Sequence, residues 1–354
     1  MSPRSAGVAQ ILTGTAATLA LLYYLRIILV PLVIAFVLAV LVNALVEFIR
    51  SHSAAAPGWA VASLTGLLVI SVASAAVFAL AEGAAHIVAQ APVLMSRLDE
   101  LAVQLGRLLH SRTDLHIAAI IGEVSVPKFA GYILSGMQGI GTSLVLVVVY
   151  FGFMLAGRQR LSRKIDNTTG SSARAGAVRG ALARIATQIQ TYVWVQTITG
   201  SILTIAAVAV MSAVGLHDVL FWGVIFFLLT FIPHIGVTIG SIAPSLFALI
   251  QFPTVWQAVT IFTVIQVVAT VVGNFIYPRL QAETQNMDPL IALVSLSFWT
   301  LVWGLPGAFL AVPLTLMIMI VFAQFKSTFW IAALLSNDGK PILSGPPRRL
   351  PPRA

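Results

Sequence analysis

Charged residues punctuate this chain in short clusters, and the apolar runs between them set its plan. A charge left at bilayer depth costs at least ~2.5–3.5 kcal/mol, so the gaps between charges mark segments free to enter lipid. Arg4 to Arg26 and Arg26 to Glu47 each leave room for one crossing of about 20 residues. Pro31 falls near the start of the second, where its missing N–H costs little. Residues 11–49 are expected as a tight helical pair turning at Arg26. A polar loop over 51–57 precedes a third span at about 60–81, with Trp59 as an interfacial anchor.

The pattern changes over 92–128. Leu94, Leu98, Leu101, Leu105 and Leu108 recur at three- and four-residue spacing among Arg97, Asp99, Glu100 and Arg107. That period predicts an amphipathic helical element outside the bilayer or on its surface. Asp99 and Glu100 are adjacent, so on a helix they diverge and form no catalytic carboxylate pair. A fourth span is expected within 129–157. Residues 158–186 carry Arg158, Arg160, Arg163, Lys164, Arg174, Arg179 and Arg184 against one Asp166. This basic loop reads as cytoplasmic, which puts the N-terminus inside and the 92–128 element outside.

A fifth span follows at about 187–214, and then two blocks without Asp, Glu, Lys or Arg: about 60 residues at 219–278 and about 37 at 289–325. One straight helix over 219–250 would be about 48 Å long, against a hydrocarbon core of about 30 Å. It must break or turn back. Pro233, His234, Gly236, Gly240 and Pro244 supply the break in the first block, and Gly304, Gly307 and Pro313 in the second. Non-helical backbone at that depth survives only where protein or a water-filled cavity satisfies it. A pair of such broken segments in residues 187–325 points to a transport core. The basic, Pro-rich tail over 326–354 reads as cytoplasmic and disordered.

Composition agrees with an all-α polytopic membrane protein of about eight segments. The chain is 59% hydrophobic and only 9% charged, where soluble domains carry about 25% charged residues. Its net charge of +9 sits between apolar runs as topology signals do, which argues against nucleic acid as a partner. The first apolar run lacks a small-residue cleavage site and reads as a retained span. Without Cys there are no disulfides, thiolate metal sites or cysteine nucleophiles, and the six His form no ligand-spaced cluster. No nucleophile, base and metal converge, so neither an enzyme nor a cofactor is expected.

Within the charge-free blocks, Asn274 offers two donors and an acceptor to a small polyhydroxylated ligand, or serves as interhelical glue. His234 beside the kink either titrates near neutral pH or caps free carbonyls. Gln196 and Gln266 are lone amides in apolar spans and are candidates to line a cavity. Glu47 and Glu82 stand at expected helix ends, and Trp222, Trp256, Trp299 and Trp303 are expected in interfacial belts.

FIPHIG followed by APSLFALI, then GNFIYPRL, then WGLPGAFLAVPL resemble, in order and spacing, the signature of the bacterial autoinducer-2 exporter family, the TqsA-like or PerM permeases. The resemblance extends more loosely over almost the whole chain. It implies a bacterial inner-membrane protein with both termini cytoplasmic, a homo-oligomeric and reportedly pentameric assembly in the lipid bilayer, and a small-molecule solute. Members are implicated in export of the quorum signal, and some are described as cation/proton antiporters. Carried over residue by residue, Pro233 and Gly236 match the first break, Gly273, Asn274 and Pro278 the second element, and Gly304, Gly307 and Pro313 the last. Tyr277 stands where many members have Glu, and Gln281, Ala282 and Glu283 replace a glycine-rich continuation. That loss removes a natural ion carrier and disfavours antiport. Permease, antiporter and non-transporting scaffold are the readings carried forward, in that order.

Overall fold

The computed structural model describes residues 3–52, 58–90, 92–93, 96–97, 100, 143–157, 164, 172–233, 235–281 and 286–341. They are helical almost throughout. In chain order the helices are α1 (Pro3–Tyr24), α2 (Arg26–His52), α3 (Gly58–Ala89), α4 (Ser143–Gly157), α5 (Ser172–Val214), α6 (Val219–Thr230), α7 (Gly236–Gln251), α8 (Trp256–Val271), a π turn (Val272–Ile276), α9 (Tyr277–Gln281), α10 (Pro289–Trp303), α11 (Leu305–Phe322) and α12 (Phe329–Leu335). Among the described residues, Arg26–Val46, Ala175–Val214, Trp256–Ile276 and Leu305–Phe322 are long and apolar enough to cross a bilayer. α4, α6, α7 and α10 are apolar but shorter.

The chain divides into two compact units. One draws on Met1–Ala44, Val147–Val195 and Leu280–Ala354. Its core joins Val40 of α2 and Ile185, Ile189 and Tyr192 of α5 to Leu316, Met319 and Ile320 of α11. α10 and α11 fold back on one another at Gly304. The other unit draws on Leu45–Leu146 and Gln196–Arg279. There Leu203, Ala207 and Met211 of α5 pack with Phe226, Phe247, Ile261 and Ile265. α6 and α7 form a hairpin, with α8 packed against α7. α3 seats on α6 where Gly83 meets the Phe221 side chain, and His86 Nδ1 lies 2.9 Å from Asp218 Oδ1 at the end of that seam.

Several expectations are revised. The turn at Arg26 is a joint with continuous hydrogen bonding: Leu25 N–H donates to Leu21 O and Leu29 N–H to Leu25 O, both at 2.9 Å. The basic loop expected over 158–186 gives way at Ser172 to α5, because the alternation of Ala with Arg after that point has high helix propensity. The part of the tail among the described residues, to 341, is folded onto the unit. The apolar run of α12 buries Ala332 against the α11 cluster, and Met287 bridges to Ser336. Asn286 Nδ2 donates to Asp338 Oδ1 at 2.5 Å and to Lys340 O at 2.8 Å, clasping the two loops. Trp299 and Trp303 are core rather than belt residues: both are buried, and their ring N–H groups donate to Thr315 Oγ1 and Leu22 O. Trp222 packs its ring against Phe247, whereas Trp256 is exposed. The amphipathic element expected over 92–128 lies mostly outside the described residues; within it Arg97 Nη1 donates to Glu100 Oε2 at 2.7 Å.

Candidate functional site

The first charge-free block is broken where Pro233 brings no N–H and Gly236 brings no side chain. α6 ends at Thr230 and α7 begins at Gly236. At 12 and 16 residues the arms reach about 18 and 24 Å, short of the ~30 Å core. The segment is a helical hairpin broken between Thr230 and Gly236 rather than one straight helix. Gly236 lies directly against the Leu229 carbonyl, where any Cβ would collide with backbone. Four residues on, a Cβ at Gly240 would stand 2.7 Å from the Phe226 ring. This GxxxG face lets the arms approach at backbone distance.

A broken helix leaves carbonyls that lipid cannot satisfy. Here they are met one by one. Phe231 N–H donates to Leu228 O at 3.1 Å, Ile232 N–H to Leu229 O at 2.9 Å, and Gly236 N–H to Ile232 O at 3.1 Å. Thr230 Oγ1 donates to Phe227 O at 2.7 Å. The Thr230 carbonyl accepts from Gln196 Nε2, which reaches across from α5. Gly200, one turn on, leaves room for the threonine: a Cβ there would lie 2.5 Å from Thr230 Oγ1. Beneath the break, Ser241 Oγ donates to Thr238 O and Ser245 Oγ to Ser241 O, with Pro244 buried between them.

The structure thus places Pro233, Gly236, Gly240 and Pro244 along one hairpin and joins Thr230, at the end of its first arm, to Gln196. His234 lies outside the described residues. Thr230 was not singled out from sequence; its signal is a lone hydroxyl immediately before the proline break. Gly273 and Asn274 sit in the π turn at the end of α8, where the Tyr277 N–H bonds Val272 O five residues back. Asn274 Nδ2 donates to Thr270 O at 2.8 Å, so only part of the donor capacity expected of it is free. Pro278 falls in α9.

Gly304, Gly307 and Pro313 belong to the α10–α11 hairpin of the other unit. Gly304 takes φ +68°, ψ −145°, a conformation essentially reserved for glycine. Gly307 abuts the Trp299 carbonyl, and Pro313 is buried within α11. A groove of about 280 Å³ between α7 and α8 is lined by Ile242, Leu246, Leu249, Val255, Val259 and Phe262. Its lining suits acyl chains rather than a polar solute. No cluster of His, Asp and Glu able to hold a metal occurs among the described residues.

Known proteins share this arrangement of sequence. The chain is 27% identical to the AI-2 transport protein TqsA of Escherichia coli (strain K12) over 230 residues, covering 62% of this chain and 66% of that protein. It is 26% identical to the putative transport protein YhhT of the same organism over 221 residues, 61% and 60% of the two chains. A putative transport protein of Borreliella burgdorferi is 25% identical over 240 residues, 65% of each. The chain therefore spans just under two thirds of the length of these curated relatives. The pattern of the AI-2E family transporters matches residues 12–327. With that match over nearly the whole chain and apolar helices of crossing length, this membrane protein belongs to the AI-2E family of transporters.

Proposed function

We propose that the chain is an inner-membrane permease that passes a small polar, uncharged solute by opening the α6–α7 hairpin. The observation that carries this reading is the Gln196–Thr230 hydrogen bond at the break. It holds a backbone carbonyl that the solute's own hydroxyls are able to take over when the bond is released. Autoinducer-2, polyhydroxylated and uncharged, is the solute favoured, given the likeness to TqsA, an AI-2 transport protein. Antiport needs a titratable carrier in the late spans, and 219–278 holds no Asp, Glu, Lys or Arg, leaving His234 as the one side chain there suited to that role. Both termini are assigned to the cytoplasm from the basic residues at 158–186 and in the tail. Assembly from several copies, with the number read from the mass of the detergent-solubilised protein, forms part of the same reading.

The test is efflux of labelled autoinducer-2 from proteoliposomes, with sodium-driven proton flux followed in parallel. Efflux that is present in wild type, lost in Gly236→Leu and unaccompanied by proton flux supports the permease. Sodium-dependent proton flux would replace it with an antiporter, and the absence of both fluxes would favour the scaffold.

A further inference from the structure

The span Trp256–Ile276 carries a second polar feature, on α8 and its π turn. Its inner face packs Ala258, Ile261, Ile265 and Val272 into the core of the unit. On a different side lie Gln266, half-buried, and Thr270 and Asn274, both exposed. Four-residue steps turn an α-helix by only about 40°, so these three form one stripe. The under-wound π turn keeps Asn274 beside Thr270 instead of letting it drift around the helix, and π turns recur at functional sites.

The stripe is linked along its length. Thr270 Oγ1 donates to Gln266 O and Asn274 Nδ2 to Thr270 O, both at 2.8 Å. Those bonds use up the hydroxyl hydrogen and one amide hydrogen. What still points outward is mainly acceptor: Asn274 Oδ1 and the lone pairs of Thr270 Oγ1, with the Gln266 amide beside them. Among the described residues no partner meets these atoms. In hydrocarbon, exposed amide groups of this kind cost several kcal/mol each, which no helix of this length would carry without return. Water or solute is what satisfies them.

We propose that Gln266, Thr270 and Asn274 are the wet wall of the solute path, a ladder of acceptors that takes an uncharged solute by its hydroxyl donors. This rests on the transport reading, and it adds specificity residues on α8 to the hinge on α6–α7. With no carboxylate in the ladder, it selects donors without holding a cation's charge.

The chain contains no Cys, so single cysteines are introduced into an otherwise silent background. In proteoliposomes, Gln266→Cys, Thr270→Cys and Asn274→Cys are treated with a charged, water-soluble thiosulfonate and compared with Val267→Cys and Val271→Cys. Both valines are exposed, at 56% and 48%, so exposure by itself does not separate the two sets. Only the thiolate reacts, and each unit by which an apolar setting raises a thiol pKa removes a factor of ten in thiolate. The stripe positions are expected to react more than about tenfold faster than the valine positions, and to be slowed by added autoinducer-2. Equal rates at all five positions overturn the proposal. So does slow reaction at the stripe with oxidative cross-linking between copies, which would make it an interface. Fast reaction at the stripe with no protection and no autoinducer-2 efflux would leave the wet wall standing while removing that solute. Size-exclusion profiles identify any variant that fails to fold, and Asn274→Ser and Thr270→Ser then serve as substitutes: both keep a hydroxyl acceptor and are expected to retain more flux than Asn274→Leu and Thr270→Val.

Discussion

The two Gly/Pro-broken hairpins are built to one plan and finished differently. In each, the second arm opens with a glycine pressed on a carbonyl near the end of the first: Gly236 on Leu229, Gly307 on Trp299. Each second arm also carries a buried proline, Pro244 or Pro313. The α10–α11 turn is completed by backbone alone. Gly304 reverses the chain, its N–H donating to Thr300 O at 2.8 Å and its carbonyl accepting from Ala308 N–H at 3.1 Å. Its second arm is buried through most of its length, and the polar side chains around it are spent internally. The α6–α7 break instead depends on a side chain from another helix, Gln196, and α7 exposes Ile239, Ile242 and Leu246. A turn closed by its own backbone holds one geometry, whereas a turn closed by a borrowed amide has a bond to release. On the transport reading proposed above, the first acts as scaffold and the second as hinge.

The largest expected effect separates them by stability. Gly307→Ala places a Cβ onto a backbone carbonyl inside a packed core and is expected to cost more than about 4 kcal/mol, read as loss of the unfolding transition in detergent. Gly236→Ala makes the same clash next to an exposed arm that is free to yield. It is expected to unfold at a clearly higher temperature than Gly307→Ala while losing transport. Matching instability in the two variants would erase the distinction. Next, Gln196→Leu leaves the Thr230 carbonyl without its donor, at about 1–3 kcal/mol, and should change flux as well as stability. Trp299→Phe removes the donor to Thr315 and is expected to cost about 0.5–1.5 kcal/mol with flux unchanged. A flux defect in that variant would assign α10–α11 a moving role.

The smallest effect lies at the clasp between Asn286 and Asp338. The Asn286 amide, and then the Lys340 N–H at 2.9 Å, hold the Asp338 carboxyl below its ordinary value of 3.8. A lowered carboxylate pKa contributes stability that is complete above the unfolded value and is lost as pH falls through the folded one. Exchange protection of the Lys340 amide should therefore be flat near neutrality and fall only below about pH 4. Loss of protection on raising pH would contradict the assignment.

The sequence carried the class of fold and the location of both breaks, because charge-free runs longer than a bilayer and the Pro and Gly within them are local signals. It was silent on how the breaks are closed. Gln196 stands 34 positions from Thr230, and a single amide in an apolar span gives no hint of its partner. The burial of Trp299 and Trp303 was likewise hidden, since tryptophan serves belts and cores alike and only tertiary packing decides. The ordering of α12 was masked by the basic, Pro-rich segment that follows it. The stripe on α8 was half visible: Gln266 and Asn274 were marked singly, but the π turn that aligns them has no sequence signature.

Backbone hydrogen exchange at the two turns tests the division into hinge and scaffold most directly. In reconstituted protein, after correction for intrinsic rates, the amides of Phe231, Ile232 and Gly236 are predicted to exchange at least about tenfold faster than those of Gly304 and Ala308, an opening free energy lower by ~1.4 kcal/mol. Equal protection at the two turns, or faster exchange at Gly304 and Ala308, would contradict it.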